Sequence, residues 1–428
     1  MDFDALSVEK SLTEIMLLKS GYVGFDFLGL LSLAVVTLIV FVLAKRQPAI
    51  ATILYVALGI RLLVIFLNQD IFIFPDSIGD AGRFEIKAQE WSEKSFLNLV
   101  SDIPIFSSFF ISWVIAILYS LFGQSELMGQ SLSLLVGIGS VFMGCSLVKK
   151  IWNQKTANKA GWVLALFPTL VLYSCIILRE AYVCFFLLMA INGIIDWIHN
   201  KNLKSLILLL AGFAGATLFH GPMIFGLIMF FLILFLKNIK IIFINLINLK
   251  INLKSLLLLI VFFTIIIFTK DINMPKIGGR LFELDTKIDR ILEKTRDFNR
   301  GTARYPSWIV PKNEIELLYK GPVRIAYFVF SPFPWDIKKS SHILGMIDGF
   351  LYIFLTYLIL CNRKIIWANP ALRIILLILL AYIFVYGISI GNFGTGIRHR
   401  SKFVIMFILL AAPLLPKFIF FSKKKDKK

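Results

Sequence analysis

The chain reads as an all-α polytopic membrane protein, and three observations lead there. Hydrophobic residues fill 58% of its 428 positions and the mean hydropathy is +0.83, whereas a soluble protein of this size needs a largely polar surface. Apolar residues come in runs close to the roughly 20 needed to cross a bilayer. Basic residues, which give a formal charge of +19, cluster between those runs ("KKIWNQKTANK", "HNKNLK", "CNRK", "KKKDKK"), as in loops retained in the cytoplasm. The charge therefore reports topology, and nucleic acid is not an expected partner.

In chain order, the opening "MDFDALSVEKSLTEIMLLKSG" is acidic, lacks the basic start of a cleavable signal peptide, and suggests a short interfacial helix outside. Spans are expected near 22–44, 50–67, 127–148, 159–177, 180–197, 205–219, 221–237, 254–269, 341–360, 371–390 and 402–420. A further run at 105–122, "IFSSFFISWVIAILYSLFG", is long enough to cross. Charge parity opposes it: with the clusters at 45–46, 149–155, 201–204, 237–254, 362–364 and 423–428 all inside, this run must lie in the interface or re-enter. Were it a full span with the acidic loop inside, Lys45 and Arg46 would face outside.

That leaves about eleven spans, amino terminus out and carboxyl terminus in. The chain divides into an amino-terminal membrane domain over 1–269 with an acidic outside loop at 68–104, an extracytoplasmic insert over 270–339, and carboxyl-terminal membrane helices over 340–428. Within the insert, Leu281, Leu284, Ile288, Ile291 and Leu292 recur at helical spacing between charges, as in an amphipathic helix lying over the membrane domain. Cys145, Cys175, Cys184 and Cys361 sit in or beside apolar segments without CxxC or Cys/His spacing, so neither a disulfide framework nor a zinc site is expected. No pattern indicates a divalent metal or other cofactor.

Polar chemistry concentrates outside. The loop "PDSIGDAGRFEIKAQEW" carries Asp76, Asp80, Glu85 and Glu90 just beyond a hydrophobic helix. Asp80, Phe84 and Ala88 fall at intervals of four, on one helical face with the aspartate in the first turn. Asp80 either caps that helix or does chemistry.

An aspartate with an aromatic four on and an alanine eight on, in the first outside loop, followed by "PIFSSFFISWVIAILYSLFGQS" and "SLSLLVGIGSVFMGCSLVKKIW", resembles the GT-C glycosyltransferases. These polyprenyl-phosphate-sugar-dependent membrane enzymes include aminoarabinose transferases and protein O-mannosyltransferases. The resemblance runs from about Ile60 to Gly221 and continues only in outline beyond. It implies that Asp80 lies at the reaction centre and that 105–122 packs as a juxtamembrane helix. Phe84 stands where a tyrosine is usual, and Ala81 where an acid is often found. Glu180 in "LREAY" matches a second family acid, with Arg179 an addition. Together with "FHG", "SPFPW" and "GNFGTGIRHR", the pattern is also similar to integral membrane proteins of surface-polysaccharide gene clusters. That implies a bacterial cytoplasmic membrane, a polyprenyl-linked glycan substrate, and glycosyl transfer or repeat-unit polymerisation.

Glycosyl transfer from a lipid phosphate needs a carboxylate to take the acceptor's proton and cations to stabilise the departing phosphate. Asp80 is the candidate base, with Asp76 or Glu85 in support. Arg398 and Arg400 offer planar forks for phosphate oxygens, or else anchor a helix end to headgroups. Arg179 pairs with its neighbour Glu180 or contacts ligand. His220 is a proton relay, a pyrophosphate contact or a hydrogen-bonded helix end. Trp308 and Trp335 stack on sugars or anchor at the interface. Arg61 and Asp348, inside apolar runs, should be paired or face a cavity. The competing reading is a transporter or flippase of lipid-linked glycans, which should show matched halves with broken helices; the single asymmetric acidic loop favours the enzyme.

Overall fold

The computed structural model describes residues 26–71, 73–105, 107–247, 292 and 302–417. Regular structure among them is helical, apart from one isolated bridge between Arg304 and Asn392. Seven of the described helices are long and apolar enough to cross a bilayer: Phe27–Arg46, Pro48–Gln69, Glu126–Ile151, Glu180–Asn200, Gly221–Ile239, His342–Cys361 and Pro370–Ser389. The protein is thus a multi-pass helical membrane protein. The expected amino-terminal helix, the span at 254–269, the stretch from Leu281 to Ile291 and the tail beyond 417 lie outside the described residues.

Helices α1 (Phe27–Arg46) and α2 (Ala51–Asp70) form a hairpin around Pro48. Next come α3 (Asp80–Ser92), α4 (Phe96–Ser101), α5 (Phe110–Phe122) and the long α6 (Glu126–Ile151). Asp26 accepts from the Ser125 hydroxyl at 2.6 Å, Ser32 meets Ser131 at 2.6 Å, and Gln47 reaches Ser146 at 3.3 Å. Each pair is 99 residues apart. A constant offset along both helices means that α1 and α6 run parallel. Since α2 returns to the end where α1 began, α3 to α5 leave and rejoin the bundle at that same end. The 13 residues of α5 rise only about 20 Å, against a hydrocarbon core of about 30 Å.

The expected span at 159–177 is interrupted. Helix α7 (Gln154–Leu166) stops before Pro168, Phe167 is extended, and α8 (Pro168–Tyr173) resumes briefly. Proline disfavours helix in the residue before it and cannot donate to the turn behind it. The buried Arg61 guanidinium donates to the freed Ala165 carbonyl at 3.0 Å, to Ala57 at 3.1 Å and to the Ser174 hydroxyl at 2.8 Å. Among the described residues Arg61 thus takes carbonyls and a hydroxyl as its partners, and it satisfies the break.

Helices α9 (Glu180–Asn200) and α10 (Leu203–Phe219) pack closely, followed by α11 (Ile224–Ile247). A Cβ at Gly193 would lie 2.4 Å from the Leu209 nitrogen, and one at Gly212 2.3 Å from that of Ala190. Backbone cannot yield as a side chain does, so glycine is required for this approach, as is common between membrane helices. Gly193→Val should lower the thermal midpoint in detergent and the membrane yield, since overpacking typically costs about 1–3 kcal/mol. An unchanged midpoint would mean that the two helices are not apposed here.

The remaining described helices are α12 (Glu314–Phe330), α13 (Ser341–Cys361), α14 (Arg363–Ala368), α15 (Pro370–Ser389), α16 (Phe393–Ser401) and α17 (Val404–Ala411). Where one long span was expected from 402, α17 is short and gives way to a 3-10 turn at Ala412–Leu414 that carries Pro413. Residues 303–305 are stitched to the loop before α16: the Tyr305 amide donates to Gly391 at 3.1 Å and that of Phe393 to Ala303 at 2.9 Å. This part of the insert is thereby fixed against the start of the helix that carries Arg398.

Candidate functional site: a charge cluster at one end of the bundle

Segments far apart in sequence converge where α2 ends and α9 begins. Helix α3 starts at Asp80, with Gly79 at the cap and no side-chain capping bond. The capping role expected for Asp80 is therefore not what its carboxylate does. Phe84 and Ala88 turn inward as their spacing required, and this aims Asp80 back at the bundle. There it accepts a hydrogen bond from Arg398 Nη1.

Arg398 lies in the last turn of α16, whose start is fixed by the Asn392 side chain accepting from the Gly394 amide at 2.8 Å and the Thr395 amide at 3.3 Å. Its Nε donates to Glu180 Oε1 at 3.2 Å. Lys402 Nζ reaches the same Glu180 oxygen at 3.1 Å. Lys402, which the sequence reasoning missed, lies four residues after Arg398, and that spacing puts both on one face of a helical turn. Arg400, two residues on from Arg398, points to the opposite side for the same reason.

Side-chain exposure grades across the cluster: Lys402 0%, Glu180 1%, Arg398 12% and Asp80 36%. Asp80 is the carboxylate bonded to Arg398 that water and a soluble molecule can reach. Arg83 approaches it at 3.8 Å from the exposed side. Burial pushes the Asp80 carboxyl up, but the charge and hydrogen bond of Arg398, backed by Arg179 and Arg83, hold it below the usual carboxylate range. Asp76 moves the other way: burial raises it, Glu180 and Asp80 add to the rise, and Arg398 and the Tyr173 hydroxyl offset only part. The Tyr173 hydroxyl donates to Asp76 at 3.3 Å. Asp76 has φ +66°, a left-handed conformation that aspartate tolerates better than most residues, and its carbonyl accepts from the Ala81 amide at 3.3 Å to start α3. Two neighbouring carboxyls pushed in opposite directions is a pattern of acid–base sites.

The other candidates separate into those at the cluster and those away from it. Arg179 does not form the expected ion pair with Glu180, whose partners are Arg398 and Lys402; it donates to the Ser108 carbonyl at 3.4 Å and lies 5.4 Å over the Phe84 ring. His220 is buried and stacks on His399 at 5.1 Å and on Tyr386 at 5.9 Å. His399 Nδ1 lies 2.6 Å from Lys402 Nζ, so His220 borders the cluster through His399. Glu85 faces elsewhere, because five residues at about 100° each turn it away from Asp80. It accepts from the Tyr119 hydroxyl at 2.6 Å and the Gln89 amide at 3.2 Å, fastening α3 to α5.

Arg400 is not placed to meet a substrate. It is fully buried against Asp348, at 3.0 Å from Nε and 2.8 Å from Nη2, and donates to the Val329 and Ser331 carbonyls. Asp348 thereby gains the partner its position demanded, and also accepts from Thr169 at 3.0 Å. Trp308 and Trp335 belong to a separate aromatic group with Tyr327 and Phe333: Trp335 stacks on Phe333 at 4.9 Å and donates to the Tyr327 hydroxyl at 3.2 Å, and Trp308 meets Tyr327 edge-on.

Among the described residues no three His, Cys, Asp or Glu side chains are arranged to hold a metal ion. The acids Asp76, Asp80 and Glu180 instead surround Arg398. Such an arrangement can bind an anion through the guanidinium and take a proton at Asp80. Comparison of this chain with family models, with curated proteins and with solved structures gives no match.

Proposed function

We propose that the protein is a GT-C-like membrane glycosyltransferase that uses a polyprenyl-phosphate- or pyrophosphate-linked donor, working at the outer face of a bacterial cytoplasmic membrane in surface-polysaccharide assembly. The observation that carries this reading is the junction of Asp80 with Arg398, residues 318 apart in sequence, at the partly exposed edge of the cluster. Apolar packing could hold helix ends together at least as well, since buried ion pairs often add nothing to stability. Ionisable groups kept at such a place point to chemistry.

In the reaction, the acceptor hydroxyl oxygen forms a bond to the donor's anomeric carbon as the anomeric carbon–oxygen bond to phosphate breaks. Asp80 takes the hydroxyl proton. The bonding pair leaves on the lipid phosphate, whose charge Arg398 stabilises. Glu180 and Lys402 orient Arg398, and Asp76 tunes Asp80 from the adjoining turn. Trp308 and Trp335, both exposed and held by ring contacts to Tyr327 and Phe333, suit a sugar chain or the bilayer interface.

Deleting the gene in its host and analysing lipid-linked glycans tests this. Accumulated lipid-linked single repeat units indicate polymerisation and a glycan lacking one sugar indicates single transfer, whereas an unaltered set contradicts both. In a background with Cys361→Ser, cysteines replacing the exposed Glu90 and Ser307 should both react with an impermeant thiol reagent on spheroplasts. Reaction at only one overturns the assignment of both segments to the outside.

A further inference from the structure

We infer that Arg398 is a latch: the donor's phosphate takes the place of Asp80 on the guanidinium, and so releases the base only when the donor has arrived. This rests on the glycosyl-transfer reading and adds how the site is regulated.

Three observations point to it. First, the cluster is already balanced: Asp76, Asp80 and Glu180 stand against Arg179, Arg398 and Lys402, with Arg83 at the exposed edge. An added phosphate makes the cluster anionic unless one carboxylate withdraws, because like charges in a poorly solvated place are costly. Second, the carboxylates bonded to Arg398 differ in freedom. Glu180 is 1% exposed and keeps Lys402 as a second cation at 3.1 Å, so its charge stays compensated if Arg398 shifts. Asp80 is 36% exposed, on the first turn of a helix, and can turn toward water and Arg83. Third, Arg398 holds donors in reserve. Nη1 serves Asp80 and Nε serves Glu180, while Nη2 is buried and makes no hydrogen bond. A phosphate replacing Asp80 would engage Nη1 and Nη2 together, the fork geometry that arginine offers and lysine does not.

The latch makes Asp80 a competitor of the ligand, so removing its charge should tighten binding even as activity is lost. The binding experiment titrates full-length protein in detergent at pH 6, where Lys402, which burial pulls down to about 7, keeps its charge, with two probes, farnesyl phosphate and inorganic pyrophosphate, following intrinsic fluorescence or calorimetry. Asp80→Asn, with Asp80→Ser in reserve should the first fold poorly, is expected to bind farnesyl phosphate about tenfold tighter, because apparent affinity rises as the competent fraction approaches one. Asp76→Asn removes a charge from the same neighbourhood without touching Arg398, and should change affinity less than about threefold. Equal tightening in the two variants would mean a general field effect and would overturn the latch while leaving Arg398 as the phosphate holder. Wild-type affinity in Arg398→Lys would overturn the underlying reading as well. A response confined to inorganic pyrophosphate would overturn the lipid-borne identity of the ligand.

Discussion

Asp80→Asn is expected, on the proposed glycosyl-transfer reading, to reduce transfer by about a hundred- to ten-thousand-fold, the usual cost of losing a general base, with membrane abundance unchanged. The structure sharpens this expectation. Asp80 makes no capping bond, so asparagine removes little from the helix. What it removes is the ability to accept a proton and the charge facing Arg398. Glu85→Gln, whose carboxylate meets Tyr119 and Gln89, should leave transfer within a few-fold and act on stability instead. Asp76→Asn should be intermediate, since Asp76 shares the charge environment of Asp80 without bonding Arg398. Transfer assays on matched amounts of membrane protein check all three. A wild-type rate in Asp80→Asn leaves Asp80 as a structural ion-pair partner only.

The second large effect concerns folding. Arg400→Met should deplete the folded protein from the membrane, because it strands the Asp348 carboxylate in the interior together with carbonyls at the end of α12. Breaking a buried pair from one side typically costs about 3–5 kcal/mol, a large share of the ~5–15 kcal/mol that holds a domain together. Arg400→Lys should fare little better, since one ammonium cannot span Asp348, Val329, Ser331 and the face of Tyr352 at 4.8 Å. Arg400→Met combined with Asp348→Leu should recover part of the yield, because the stranded charge is gone. Size-exclusion profiles and thermal midpoints read this out. Normal folding of Arg400→Met would contradict the clamp.

Much of the architecture was legible because the bilayer imposes it. Runs of apolar residues had to become helices, and the charge parity that kept 105–122 from crossing agrees with the parallel course of α1 and α6. The broken helix at Phe167 was missed because the hydropathy of the run outweighed one proline, and only the three-dimensional placement of Arg61 shows how the break is satisfied. In the site, the turn with Asp80, Phe84 and Ala88 could be oriented from spacing alone, whereas the capping of α3 passed to Gly79 because the carboxylate had a charged partner to reach. Which charges pair across the bundle was hidden, since pairs such as Asp80 with Arg398 or Arg400 with Asp348 depend on helix packing. Helical geometry did hold one unused signal. Arg398 and Lys402 share a face and Arg400 opposes them, so the two arginines could not both meet one phosphate, and Lys402 had to accompany the first.

The central claim is that Arg398 holds the donor's phosphate opposite Asp80, and its most direct test is the donor dependence of transfer in Arg398→Lys. Lysine keeps the positive charge but lacks the planar fork. The expected result is a rise of at least about tenfold in the donor concentration giving half-maximal transfer, equivalent to roughly 1.4 kcal/mol, in protein of normal abundance and thermal midpoint. Donor dependence and rate indistinguishable from wild type would contradict the claim and leave the cluster as an ion-pair network that joins helix ends.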